Sequence, residues 1–171
     1  TVLAIVQARM GSTRLPGKVM QKVGGESLIG LLLQRLSSAK TIDKIVVAST
    51  TRDVDDELVE HVKQLGFSVF RGDEDDVLDR YYQAASHYGA NTIIRVTGDC
   101  PLIDPDLVDA VVNRFMEQEA EYVSNIQPPT YPDGLDVEVF SANALECAWR
   151  DAKDEHSREH VTVYLRESGN F

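Results

Sequence analysis

The chain has 171 residues, 43% of them hydrophobic, enough to bury one substantial core in a single domain spanning 1–171. Its net charge of −11 argues against an extended nucleic-acid partner, which needs clustered Lys and Arg. No stretch nears the ~20 apolar residues of a membrane span, no basic-then-apolar leader opens the chain, and Cys100 and Cys147 lack metal-like spacing, which predicts a cytoplasmic protein with reduced thiols and no membrane partner.

The first element is the apolar run Val2-Leu3-Ala4-Ile5-Val6, with the length and β-branching of a strand buried on both faces. A loop follows that carries Arg9, Gly11, Ser12, Thr13, Arg14, Gly17 and Lys18. Ligands of open α/β sheets bind outside the carboxyl ends of the strands, where glycines bring backbone N–H groups close to phosphate oxygens and cations neutralise them. Residues 1–25 carry +4 and no acid, leaving −15 for the remainder. A basic loop on an acidic chain reads as a focused anion site, the plainer alternative being a solvated loop. Five residues separate Gly11 from Gly17 and Val19 follows Lys18, so this is not a Walker A loop, nor is it GxGxxG.

From Ala8 to Lys18 the sequence reads A-R-M-G-S-T-R-L-P-G-K. This resembles the opening of the cytidylyltransferases that activate acidic sugars, especially the SpsF-like branch linked to spore-coat and surface polysaccharides. The resemblance implies nucleotide contacts from Ala8, Arg9, Gly11, Ser12, Thr13, Arg14 and Lys18, with Arg9 and Lys18 also serving the reaction.

Gly24-Gly25 predict a turn, and Leu28, Ile29, Leu32, Leu33 and Leu36 the buried face of a helix. Lys44–Ser49 reads as a second buried strand. Asp53 is placed to cap the next helix, whose face is Leu58, Val59, Val62 and Leu65 and whose stop is Gly66. Phe67–Phe70 is a short third strand. Strand-helix units at roughly 30-residue spacing predict a parallel βαβ architecture. The acid run Asp73 to Asp76 suits a solvated helix start. Its string G-D-E-D-D-V-L-D-R-Y also resembles the SpsF-like branch, implying a base or phosphate contact from Arg80.

Thr92–Val96 predicts the fourth strand, ending in Thr97-Gly98-Asp99-Cys100-Pro101-Leu102-Ile103. A carboxylate at the carboxyl edge of a central strand, beside a glycine, is well placed to hold Mg²⁺ against triphosphate oxygens. The G-D-x-P-L-I string resembles the family's metal-binding signature, which makes Asp99 the metal ligand and a catalytic residue, with Gly98 beside the nucleotide. The octulosonate enzymes of the family carry Gln where Thr97 stands and Glu where Cys100 stands. Asp104 predicts an N-cap with Pro105 in the first turn, and Leu107, Val108, Val111, Val112 and Phe115 face the core.

Glu121–Ser124 reads as a strand, and Asn125–Asp136, with three of the six prolines, as an irregular loop serving either as a surface crossover or as an acceptor-binding lip. Val137–Phe140 predicts another strand. The string Y-P-D-G-L-D-V-E-V-F resembles the SpsF-like branch and implies acceptor contacts from Asp133, Asp136 and Glu138. Ser141 caps a last amphipathic helix with Leu145, Ala148 and Trp149. His156-Ser157-Arg158-Glu159-His160 formally fits HxxEH, a zinc-hydrolase pattern. R-E-H-V-T is also a feature of the SpsF-like branch, which favours a capped helix edging the acceptor site.

The resemblance runs from Thr1 to about Leu165. It implies an α/β fold, a three-layer, mainly parallel sheet flanked by helices of the nucleotide-diphospho-sugar transferase (Rossmann-like) type. It also implies Mg²⁺-dependent transfer of a cytidylyl group from CTP to a sugar acceptor, with release of pyrophosphate, by a protein able to form a homodimer. Two other classes stay open, a GT-A-like glycosyltransferase with a metal-binding D-x-D and a non-catalytic nucleotide-binding module. The family's second metal-binding Asp, in a D-x-P-E-D-like string, is absent from this sequence. The expectation is therefore a form shortened at its C-terminus with an incomplete metal site, unless Asp136 or Glu138 substitutes.

Overall fold

The strand Val2–Gln7 (β1) lies at the middle of the sheet, and its four central residues are buried. The computed structural model describes residues 1–11 and 15–171. After the first loop and a short 3₁₀ turn at Lys18–Met20 comes a two-stranded hairpin, Lys22–Val23 (β2) and Glu26–Ser27 (β3), turning on Gly24 and Gly25. Both glycines have positive φ, a conformation open to them because they lack Cβ.

The remaining elements follow in order: Leu28–Leu36 (α1), Lys44–Thr50 (β4), Asp56–Gln64 (α2), Ser68–Gly72 (β5), Val77–His87 (α3), Thr92–Thr97 (β6) and Pro105–Gln118 (α4). Tyr122–Ser124 (β7) and Glu138–Ser141 (β8) complete the sheet, and Ala142–Asp151 (α5), Glu155–Glu159 (α6) and Val163–Glu167 (α7) follow.

The strand order is β5-β4-β1-β6-β8-β7. The first four strands are parallel, while β8 runs antiparallel to both β6 and β7. Strand alternation divides the apolar residues between two layers. Ala4, Val6, Val47, Ile94 and Val96 pack with residues of α1, α2 and α4, and Leu3, Ile5, Val46, Ala48, Ile93 and Phe140 pack with residues of α3, α5 and α7. This is the three-layer, mainly parallel α/β architecture expected, and its reversal of strand order falls at β1. Crevices at such a switch point are where open α/β sheets take their ligands.

The predicted caps of α4 and α5 form, with Asp104 accepting from the Asp106 and Leu107 amides and Ser141 accepting from the Ala144 amide. Asp53 does not cap α2. It begins a 3₁₀ turn, Asp53–Asp55, and the residue preceding α2 is Asp55, whose carboxylate is taken by other partners. The helix bearing Trp149 is not the last, because α6 and α7 follow it. No helix among the described residues is long and apolar enough to cross a membrane.

Candidate nucleotide site

The loop after β1 is anchored from beneath. The Met10 amide donates to Asp55 Oδ1 at 2.6 Å and the Thr50 hydroxyl donates to the other oxygen of the same buried carboxylate. At its far end the Gly17 amide donates to the Met10 carbonyl at 2.9 Å, closing the loop on itself. Gly17 has φ 70°, a left-handed conformation that costs glycine little, and it starts the 3₁₀ turn whose buried Val19 fixes Lys18 at the surface. Asp55 could not be picked out from the sequence, since an acid between a strand and a helix looks like any solvated cap. The expected contacts Ser12, Thr13 and Arg14 lie outside the described residues.

The end of β6 meets this loop. The Gly98 amide donates to the Gln7 carbonyl at 2.9 Å, and a Cβ on Gly98 would stand 2.7 Å from that oxygen and 2.9 Å from Ala8 Cβ. Only glycine lets the two strand ends approach so closely. Lys18 Nζ lies 3.6 Å from Asp99 Oδ2, so the two sequence motifs converge. Burial works to raise the Asp99 pKa, but the Thr97 hydroxyl and the Lys18 charge outweigh it and hold the carboxyl below its usual range.

Beside this pair opens a cavity of about 320 Å³. Gln7, Ala8 and Arg9 line it from the end of β1, Glu74, Asp75, Val77 and Arg80 from the start of α3, and Glu155, Glu159 and His160 from α6 and its end. Arg9 pairs with Glu74 at 3.4 Å, and Gly11 comes close to the same carboxylate. Arg80 is 2% exposed, donates from Nη1 to the Asp73 carbonyl at 3.0 Å, and leaves its Nε without a partner. Burial is the main influence lowering its pKa. That Nε is itself buried, so what Arg80 brings to the cavity wall is its positive charge, which suits an anionic ligand. Lys18 and Asp99 do not line this cavity, so the expected site residues form two adjoining groups.

On the β6 side, Asp133 and Asp136 act electrostatically on the Cys100 thiol, which burial pushes up, and Asp136 also feels Asp99. Burial, then the charges of Asp133 and Glu138, pushes the Asp136 carboxyl up. Glu138 is 2% exposed and already engaged, by Arg95 on one oxygen and by the Tyr122 hydroxyl at 2.7 Å on the other. In this structure it is an interior partner of Arg95.

Among the described residues no group of three His, Cys, Asp or Glu is arranged to hold a metal ion. His156 and His160 instead meet edge to face, with ring centroids 4.6 Å apart. Mg²⁺ needs less from a protein than zinc does, one or two carboxylates with phosphates and waters supplying the rest. Asp99, whose carboxyl is held low, and Asp136, which feels its charge, are the carboxylates that fit that donor set. One acid of each D-x-D string, the first or the last, is already bonded within the protein: Asp55 accepts from the Met10 amide and the Thr50 hydroxyl, Asp73 from the Asp75 and Asp76 amides, and Asp104 caps α4.

A family model described as "Cytidylyltransferase" matches residues 3–171. An uncharacterized protein of Methanocaldococcus jannaschii is 43% identical over 99% of this chain and 69% of its own length. The spore coat polysaccharide biosynthesis protein SpsF of Bacillus subtilis is 38% identical over 96% of this chain and 70% of its own. The solved structure of a cytidylyltransferase from Leptospira borgpetersenii superposes with a TM-score of 0.95 at 38% identity, covering 99% of this chain and 73% of that one.

Proposed function

Because the chain belongs to the cytidylyltransferase family, we propose that it moves CMP from CTP to a hydroxyl of a sugar destined for surface polysaccharide, releasing pyrophosphate. The observation that carries this reading is the meeting of Lys18 and Asp99 at the β1–β6 switch point, beside a cavity walled by Arg9 and Arg80. In this reading a nucleoside occupies the cavity and its triphosphate extends toward Lys18 and Asp99. The polysaccharide assignment rests on the similarity to SpsF.

In this reading the acceptor hydroxyl oxygen attacks the α-phosphorus, a P–O bond forms to the sugar as the hydroxyl proton passes to water, and the bond to the β-phosphate breaks so that pyrophosphate leaves with its charge. Such transfers depend on positioning and charge stabilisation. Lys18 and Arg9 hold phosphate oxygens, with the glycine-bearing loop supplying backbone donors. Asp99 and Asp136 would hold Mg²⁺, which neutralises charge on the phosphates. Arg80 contacts the base or the α-phosphate from the cavity wall. Asp133 and Asp136 face the acceptor.

A thermal-shift screen of CTP, UTP, ATP and GTP with and without Mg²⁺ tests this. A ligand at 100 times its Kd stabilises by about 2.7 kcal/mol, an easily read shift. CTP with Mg²⁺ should give the largest shift, and no shift with any nucleotide contradicts the reading.

A further inference from the structure

The outer wall of the cavity is α6, five residues long and too short to hold its position by helical bonding alone. Asp154 caps it through the Ser157 amide at 2.8 Å, and Arg158 fastens it. Arg158 Nε lies 3.0 Å from each oxygen of Asp76, Nη2 lies 2.7 Å from Oδ2, and Nη1 donates to the Trp149 carbonyl at 2.6 Å. Asp76 is at the same time the N-cap of α3, accepting from the Asp79 amide at 2.9 Å. Asp79 accepts the Trp149 indole N–H at 2.8 Å, and Trp149 stacks on Tyr82 with centroids 4.1 Å apart.

One turn of α3 is therefore bonded to both α5 and α6. That turn also presents Val77 and Arg80 to the cavity, while α6 and its end present Glu155, Glu159 and His160 from the other side. Neither Asp76 nor Arg158 lines the cavity itself. Their bidentate pairing fixes orientation as well as separation, which a lysine's point charge cannot do.

We propose that Asp76 and Arg158 are a positioning pair that sets the spacing between the two walls of the nucleotide cavity. The inference rests on the reading of that cavity as a nucleotide site. It makes the chain's only tryptophan, Trp149, a reporter of the pair, because Arg158 bonds its carbonyl and the turn that Asp76 caps bonds its indole.

The test measures CTP affinity and Trp149 emission in the wild type, Asp76→Asn, Arg158→Gln, Arg158→Lys and the Asp76→Asn/Arg158→Gln double variant. Each single variant should weaken CTP binding by about tenfold and shift the ligand-free emission, and the double should be no weaker than the worse single, as for two residues acting as one unit. Arg158→Lys keeps the charge and should still lose the affinity. Asp109→Asn is the control for mere destabilisation. Asp109 accepts from Lys40 and Thr41 in the other helical layer, so its loss should lower the melting midpoint and leave CTP affinity unchanged.

Wild-type affinity in both Arg158 variants, or losses that add in the double, would overturn the positioning pair. Absence of CTP binding by the wild type would overturn the nucleotide reading instead. The ligand-free emission would then decide the pair alone, unshifted emission in both Arg158 variants counting against it.

Discussion

Lys18 Nζ stands 3.6 Å from Asp99 Oδ2, joining the loop after β1 to the end of β6. Their side chains are 39% and 54% exposed, and an ion pair this open contributes only about 0–1 kcal/mol. Its importance lies in what it places together, a cation for phosphate and a carboxylate for metal, each able to exchange its partner at little cost. Lys18→Ala should weaken CTP binding by about 1–3 kcal/mol, the scale of a charge-assisted hydrogen bond, with little loss of stability. Calorimetric titration and a melting curve check both halves.

Asp99→Asn keeps the size of the side chain and removes its charge. The fold should survive, and the stimulation of turnover by Mg²⁺ should collapse. Mg²⁺ titrations of initial rate at saturating CTP read this, and an unchanged Mg²⁺ dependence would remove Asp99 from the metal site.

Gly98→Ala tests the contact between the strand ends. The added Cβ meets the Gln7 carbonyl oxygen at 2.7 Å, a backbone atom that cannot step aside. Overpacking of this kind costs about 1–3 kcal/mol, visible as a lower denaturant midpoint.

Asp55→Ala tests the floor of the loop. It leaves the Met10 amide and the Thr50 hydroxyl without their acceptor, at about 1–3 kcal/mol. Because Met10 adjoins Arg9, CTP affinity should fall along with stability, and both are measurable on one sample series.

Asp109 predicts an acid-side dependence. Burial works to raise its pKa, but the Lys40 and Thr41 amides and the Thr41 hydroxyl outweigh it and hold the carboxyl low. A depressed folded-state pKa adds stability that is complete above the unfolded carboxylate range and is lost as pH falls through the folded value. Wild type should therefore lose stability on acidification more steeply than Asp109→Asn, as read from denaturant midpoints taken from neutral pH down through and below the usual carboxylate range.

The apolar strands β1, β4 and β6 were legible because burial on both faces writes a continuous hydrophobic run. The hairpin of β2 and β3 was visible only as its Gly24-Gly25 turn, since two-residue strands leave no alternation to read. Lys18 and Asp99 stood out as residues, and their contact follows from strand order, which places β6 directly beside β1. The R-E-H-V-T string pointed to a capped helix edging the site, and α6 is capped by Asp154 and lies at the cavity, but the clamp between Arg158 and Asp76 that ties it to α3 is tertiary and no local pattern announces it. Glu138 was legible as part of a strand, but its pairing with Arg95 was not, because it follows from the antiparallel register of that strand on β6.

The central claim is that the β1–β6 switch point carries CMP transfer from CTP. Incubation of the protein with CTP, Mg²⁺ and a panel of sugar acceptors, followed by pyrophosphate detection and mass analysis of the product, tests it most directly. The account predicts acceptor-dependent pyrophosphate release with a CMP-bearing product, abolished by Asp99→Asn. Acceptor-dependent release that persists undiminished in both Lys18→Ala and Asp99→Asn would contradict it.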